Sequence, residues 1–330
     1  MRLVWGFAVS VCILAGASEA AEWRTQRIDT PARVMAIETV DGKVEVNAGG
    51  LWYRIVSTDG QVKLTFVDRP TEIEHPKGAL SNARIVTGSR DIARAWLADP
   101  TARYDHGIFD DLVDAGSLII EGRNGKLNRV ALGDDAVFED REPRLADLDG
   151  DGRDEIIVVK SYLKHGSSLA VLAARNNKYD VVAETPPLGA AHRWLNPAGI
   201  ADFNGDGKMD IALVRMPHAV GTLELWTWAE RRLRKITEFP DVANHVAGSH
   251  ALDMSATADF DGDGVADLAI PSFDRNRLRI VAFAPKPREI ASIALPAKAL
   301  TNIALIADGA GPPAIAIGLS DGTLTVLRRD

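Results

Sequence analysis

A nine-residue acidic segment occurs three times and limits what this chain can become. The copies occupy residues 147–155, 202–210 and 259–267. Each offers side-chain oxygens at positions 1, 3, 5 and 9. These are Asp147, Asp149, Asp151 and Glu155; then Asp202, Asn204, Asp206 and Asp210; then Asp259, Asp261, Asp263 and Asp267. Position 7 (Arg153, Lys208, Val265) can add a backbone carbonyl. Glycines at positions 4 and 6 let the chain curl until the oxygens converge, as a hard cation such as calcium requires. Asp, Asn and Gly favour turns without any metal. Crowded carboxylates nevertheless repel unless a cation sits among them, and chance does not repeat one ligand spacing three times. The expectation is about three structural Ca2+ ions; the octahedral shell of magnesium suits an all-protein cage poorly.

An EF-hand needs flanking helices and a glutamate at position 12. Here position 12 is Val158, Leu213 and Ile270. The following segments, such as Glu155-Ile156-Ile157-Val158-Val159, are apolar and β-branched, which predicts strand–loop–strand.

The loops belong to a longer period. An Ala-Asp pair ends an apolar stretch at Ala98-Asp99, Ala146-Asp147, Ala201-Asp202, Ala258-Asp259 and Ala307-Asp308. The spacing of about 50 residues is enough for a four-stranded sheet per unit. Short alternating runs with Asp-Gly and Gly-Gly turns fill residues 23–67. The predicted fold is an all-β β-propeller of six blades, each of four antiparallel strands. Seven blades, or a linear β-solenoid, are the alternatives. First strands are expected to start near Val34, Ala95, Arg144, Ala198, Ser255 and Asn302. The last unit is one strand short, and the amino-terminal run from Trp23 to Ile28 is expected to supply it, closing the ring and hiding its edges.

Arg2 precedes an apolar run over 3–17, and Ser18-Glu19-Ala20 offers small residues for cleavage. Residues 1–20 therefore read as a signal peptide, with cleavage after Ala21 the second choice, and 21–330 as a single propeller domain. The run is short for a membrane span, and no later stretch approaches one. The one cysteine, Cys12, lies in this leader, so the mature chain has no disulfide and no thiol chemistry. The expected location is the periplasm or outside the cell. The net charge of −8 is largely what three metal loops would contribute, and it opposes nucleic-acid binding.

The unit at Asp99 departs from the motif. Its long polar loop makes Asp99, Arg103, Tyr104, Asp105 and His106 ligand-binding candidates, with His106 a conceivable base. No Gly-x-Ser-x-Gly elbow, His-Glu-x-x-His pair or glycine-rich nucleotide cradle is present, so no catalytic residue is assigned. At Asp308 the loop carries Ala310 and Pro312 in place of ligands, and no metal is expected there.

The motif Asp-x-Asp/Asn-Gly-Asp-Gly-x-x-Asp followed by an apolar strand resembles the FG-GAP/VCBS repeat family of calcium-binding propellers, related in blade design to the integrin α-subunit head. The match is carried by residues 147–155, 202–210 and 259–267, with Glu155 the departure at position 9. The resemblance implies metal loops between the first two strands of a blade. Many members bind proteins or glycans, and some sit in polysaccharide lyases, none of whose catalytic residues is matched here. The expected function is a monomeric, non-catalytic module that recognises a protein or carbohydrate. A glycan lyase or hydrolase, acting in the central funnel or on the 99–111 loop, and a purely structural envelope protein are the alternatives.

Overall fold

A computed structural model describes residues 22–58, 60–69, 75–175, 178–307 and 311–329. The leader over 1–20 and the Asp308 end of the degenerate loop lie outside the described residues. Twenty-five strands and no helix form among the described residues. The chain is all-β, built of repeated four-stranded antiparallel sheets.

Unit 1 is β2 (Val34–Val40), β3 (Lys43–Ala48), β4 (Leu51–Thr58) and β5 (Gln61–Val67), paired in sequence order. Unit 4 is β15 (Leu195–Ala201), β16 (Asp210–Arg215), β17 (Thr222–Ala229) and β18 (Arg232–Pro240). Unit 5 is β19 (Ala256–Ala258), β20 (Asp267–Pro271), β21 (Arg277–Ala282) and β22 (Arg288–Ala294). In unit 6, β23 (Ala299–Ile306), β24 (Ala314–Leu319) and β25 (Leu324–Arg329) are completed by β1 (Trp23–Ile28), which runs antiparallel to β25 from Trp23↔Arg329 to Ile28↔Leu324.

The fifth sheet has nine strands and resolves into two more units. Unit 2 is β6 (Val86–Thr87), β7 (Ile92–Thr101), β8 (Asp114–Gly122) and β9 (Leu127–Ala131). Unit 3 holds β10 (Ala136–Phe138), β11 (Arg144–Ala146), β12 (Glu155–Tyr162), β13 (Gly166–Arg175) and β14 (Lys178–Glu184). Strands β10 and β11 pair with successive stretches of β12, so together they make one inner strand broken at residues 139–143. A single pair, Phe138↔Ala115, joins the two units. At the break, the Val159 N–H donates to the Asp140 side chain (3.0 Å) where a strand carbonyl would otherwise accept it.

Apolar side chains pack consecutive units together. Leu97, Leu118, Ile156 and Leu172 join units 2 and 3; Leu169, Trp194, Leu213 and Trp226 join 3 and 4. Phe203, Leu225, Leu268 and Phe283 join 4 and 5. Leu278, Ile293, Ile303 and Ile315 join 5 and 6, and Val326, Ala316, Ile37 and Val46 join 6 and 1. Between units 1 and 2 Arg84 reaches Glu38 (3.7 Å), while Arg69, just past β5, bonds Glu38 and Glu45 and covers Trp52 within unit 1.

The expected period fails at one unit. Asp99 does not end a first strand. It lies within β7, the second strand of unit 2, at a left-handed φ of 57°. The first strand of that unit is the two-residue β6, near Val86 and not Ala95, and its first connection is the four-residue segment 88–91. No acidic motif marks that connection, so the Ala98-Asp99 pair gave a false register.

Candidate functional site

In each antiparallel unit the connections alternate between two ends. First-to-second-strand connections fall at one end, here called the carboxylate face. Second-to-third-strand connections and the links between units fall at the other, the loop face.

All three acidic segments lie on the carboxylate face and fold alike. The position-1 carboxylate spans two glycine N–H groups: Gly150 and Gly152 donate to Asp147 (2.8 and 3.0 Å), Gly205 and Gly207 to Asp202 (both 2.8 Å), Gly262 and Gly264 to Asp259 (2.6 and 2.9 Å). All six glycines have φ between 73° and 87°, a region costly for side-chain-bearing residues. The N–H groups of Arg153, Lys208 and Val265 donate to Asp151, Asp206 and Asp263. Leu148, Phe203 and Phe260, at position 2, are buried and pin each loop to the core.

Two of the loops bring three carboxylates together: oxygens of Asp147, Asp149 and Asp151, and of Asp259, Asp261 and Asp267, lie within 4.8 Å of one another. In the middle loop Asn204 supplies the third-position oxygen. The position-9 carboxyls are buried. Glu155 accepts from the Leu148 N–H (3.0 Å) and Asp267 from the Phe260 N–H (2.9 Å). Asp210 is fully buried, with the Phe203 N–H and the Thr227 hydroxyl as its donors, both outside ordinary hydrogen-bond geometry. Burial, assisted by neighbouring loop carboxylates, pushes Glu155 up to about 7 and Asp210 and Asp267 up to about 6. Buried carboxylates so poorly compensated, set among further oxygen donors, fit a hard cation.

The loop face carries a different chemistry, on which the ligand-binding candidates divide. Asp99 accepts from the side chains of Ser117 (2.5 Å) and Arg129 (2.7 Å) within its own unit, and Arg103 donates twice to the Ala136 carbonyl of unit 3. Tyr104, Asp105 and His106 meet side chains and backbone of units further along the chain. His106 Nδ1 lies 2.6 Å from Glu139, a fully buried carboxylate that also accepts from Ser161. His192 Nε2 lies 2.9 Å from Asp105, and its ring stacks on His106 with centroids 5.2 Å apart. The His192 N–H donates to the Tyr104 hydroxyl (2.7 Å), and His192 has a φ of 60°. Beyond Trp194, His218 Nε2 lies 2.9 Å from His245 Nδ1, and His245 Nε2 lies 2.9 Å from the Ser249 carbonyl. A carbonyl only accepts, so His245 Nε2 carries hydrogen and its Nδ1 accepts from His218. Burial near Glu139 and Asp111 pushes Asp114 up to about 8.

Sequence reasoning missed Glu139, His192, His218 and His245. The histidines are scattered along the chain, and only strand phase brings them together: all fall in connections of one parity. Glu139 sits in the broken inner strand, which no motif marks.

Among the described residues no helix is long and apolar enough to cross a membrane. A family model described as an FG-GAP-like repeat matches residues 147–213 and 202–270. No curated protein sequence matches significantly. The chain is similar to two crystal structures of BBS1N in complex with ARL6DN, one soaked with mercury and one with lead. Identities are 11% and 12% and TM-scores 0.43 and 0.45, each match covering 92% of this chain and 79% of that one. Likeness at that level identifies neither a ligand nor a partner.

Proposed function

We propose, from the FG-GAP-like repeats this chain carries, that it is a calcium-stabilised β-propeller of six blades that recognises a ligand on its loop face. The sheet shared by β1 and β25 and the packing of unit 6 on unit 1 support a closed ring. Calcium, about three ions, fills the loops at 147–155, 202–210 and 259–267 and holds the first hairpin of each blade. The protein is exported through its leader to the periplasm or beyond and acts as a monomer.

Recognition rests on one observation: Tyr104, Asp105, His106 and His192 gather on the loop face although they come from connections of different units. The ligand is a protein or a carbohydrate. Glycan-array and pull-down binding tests this. Binding lost in a His106→Ala/His192→Ala double variant of unchanged melting midpoint supports the site; blank arrays and pull-downs favour a purely structural role.

The His106–Glu139 pair favours a second reading. A buried carboxylate on Nδ1 holds the imidazole so that Nε2 is free to move a proton, the arrangement of a general base. A glycan lyase or hydrolase would use it. Polysaccharides assayed for new reducing ends or unsaturated products, with His106→Ala as control, separate catalysis from recognition.

A further inference from the structure

We propose that the loop face docks a protein partner, through a segment of that partner that combines apolar side chains with lysine or arginine. This rests on the recognition reading above and decides, within it, between protein and carbohydrate.

Exposed apolar side chains are not shared evenly between the two ends of the sheets. Of eleven large ones among the described residues, seven lie in loop-face connections or at the strand ends that meet them. Leu112 (56% exposed) and Val113 close the 102–113 connection of unit 2. Val220 lies in the 216–221 connection of unit 4, and Phe273 in the 272–276 connection of unit 5. Met35, Leu51 and Phe66 stand at the loop-face ends of unit 1 strands. Single exposed hydrophobics are ordinary on a protein surface; their gathering at one end marks an interaction site.

The four connection residues flank one element, the 241–255 link between units 4 and 5. On one side the Phe273 N–H donates to the Asp241 carbonyl (3.2 Å), and the Phe273 ring lies against Gly221, beside Val220. On the other side the Gly248 N–H donates to the Ile108 carbonyl (3.0 Å), and His250 Nε2 lies 2.9 Å from the Phe109 carbonyl. Leu112 and Val113 rise from that same connection, which is therefore held in place before any partner arrives. Exposed carboxylates stand among the apolar groups: Asp105 and Asp110 in unit 2, Asp241 at the head of the link and Asp274 beside Phe273. Three of the four apolar residues are aliphatic and offer a sugar neither a flat ring nor a hydrogen bond, and every described tryptophan is buried or half-buried. Apolar side chains match them, and lysine or arginine matches the carboxylates. A second copy of this chain fits badly, because a two-fold pairing would set these carboxylates against their own kind.

Panning a random-peptide library against the full chain, with neutral and acidic oligosaccharides arrayed in parallel, tests this. The peptides selected should be enriched in lysine or arginine together with leucine, isoleucine or phenylalanine. Their affinity should fall at least about tenfold in Leu112→Ser/Val220→Ser/Phe273→Ser. It should be unchanged in Val40→Ser/Leu127→Ser, whose exposed side chains lie off the loop face. Asp110 and Asp241 have left-handed φ values of 67° and 63°, which asparagine tolerates. Asp110→Asn/Asp241→Asn should therefore fold normally, weaken binding by about three- to tenfold and blunt its salt dependence. If the triple variant melts lower than wild type, this pair carries the test. Peptide binding indifferent to both loop-face variants overturns the inference. So does a concentration-dependent dimer that the triple variant breaks, which assigns the surface to a second copy. Saccharide binding lost in His106→Ala/His192→Ala, with no peptide selected, overturns the inference and leaves the recognition reading standing. Binding of neither class overturns both.

Discussion

Arg84 and Asp253 are 169 residues apart in sequence and 3.4 Å apart in space. The same guanidinium lies 3.4 Å from Glu142 and 3.7 Å from Glu38. One side chain thus gathers carboxylates that precede or belong to the inner strands of units 1, 3 and 5, from its own place before the inner strand of unit 2. Asp253 in turn donates its N–H to Asn302 of unit 6 (3.0 Å). The inner edges of the sheets are therefore tied to one another by charge as well as by apolar packing.

Replacing Arg84 by methionine should leave three carboxylates facing one another. The groups are partly exposed, so the expected loss is about 1 kcal/mol rather than the larger cost of a fully buried pair. Urea denaturation measures it. An unchanged midpoint would mean that the inner edges are held without this residue.

Stripping calcium should lower the thermal midpoint clearly, because a ligand bound to the folded state alone stabilises it by mass action. Scanning calorimetry with and without chelator, with metal content verified, is the measurement. A midpoint indifferent to metal would remove the structural role of the loops.

The pH response should change character with metal. Without it, Glu155, Asp210 and Asp267 have folded pKa values of about 7, 6 and 6, raised above those of unfolded chains. Their contribution is complete below the unfolded value and lost as pH rises through 6 to 7, so the metal-free protein should melt lower at pH 8 than at pH 5.5 on their account. Burial lowers His245 to about 3, and the sign reverses: its contribution is present above the unfolded value near 6.5 and declines as pH falls below it. Saturating calcium should cancel the first slope and leave the second. Melting midpoints from pH 4.5 to 8, with and without calcium, test both signs.

Phe203 is fully buried beneath the middle loop, with its ring 5.3 Å from that of Phe283 in the next unit. Phe203→Ala should cost about 3–5 kcal/mol, the scale of an aromatic cavity in a packed core. Denaturant titration measures it. A loss below 1 kcal/mol would show that the interface between units 4 and 5 collapses to fill the space.

Much of this was legible because each acidic loop punctuates the same position in a sheet. The expected starts of the first strands agree with Val34, Leu195, Ala256 and Ala299 to within a few residues, the Arg144 start meets only the second half of a strand that begins at Ala136, and the orphan run at Trp23–Ile28 found its place beside β25. The failure at Asp99 has a physical origin. Unit 2 has a two-residue first strand and a four-residue connection, so its punctuation is too slight to read, while the Ala98-Asp99 pair inside β7 imitated it. The histidine cluster was hidden for another reason. Its members are not neighbours on any strand, and a chain read linearly does not reveal which connections share an end. Of the candidates around Asp99, that on the strand bonds side chains of its own unit, Arg103 holds the Ala136 carbonyl, and those at the loop's crest meet the histidine cluster.

The pairing of β1 with β25 has a consequence for assembly. Its register joins Trp23 to Arg329, so this sheet has the highest contact order in the molecule and cannot be completed until both extremities are available. The entropy of closing so long a loop grows only logarithmically with length, so the delay is kinetic more than energetic. Units 2 to 5 need no such wait, and the sixth sheet is expected to set the pace of refolding.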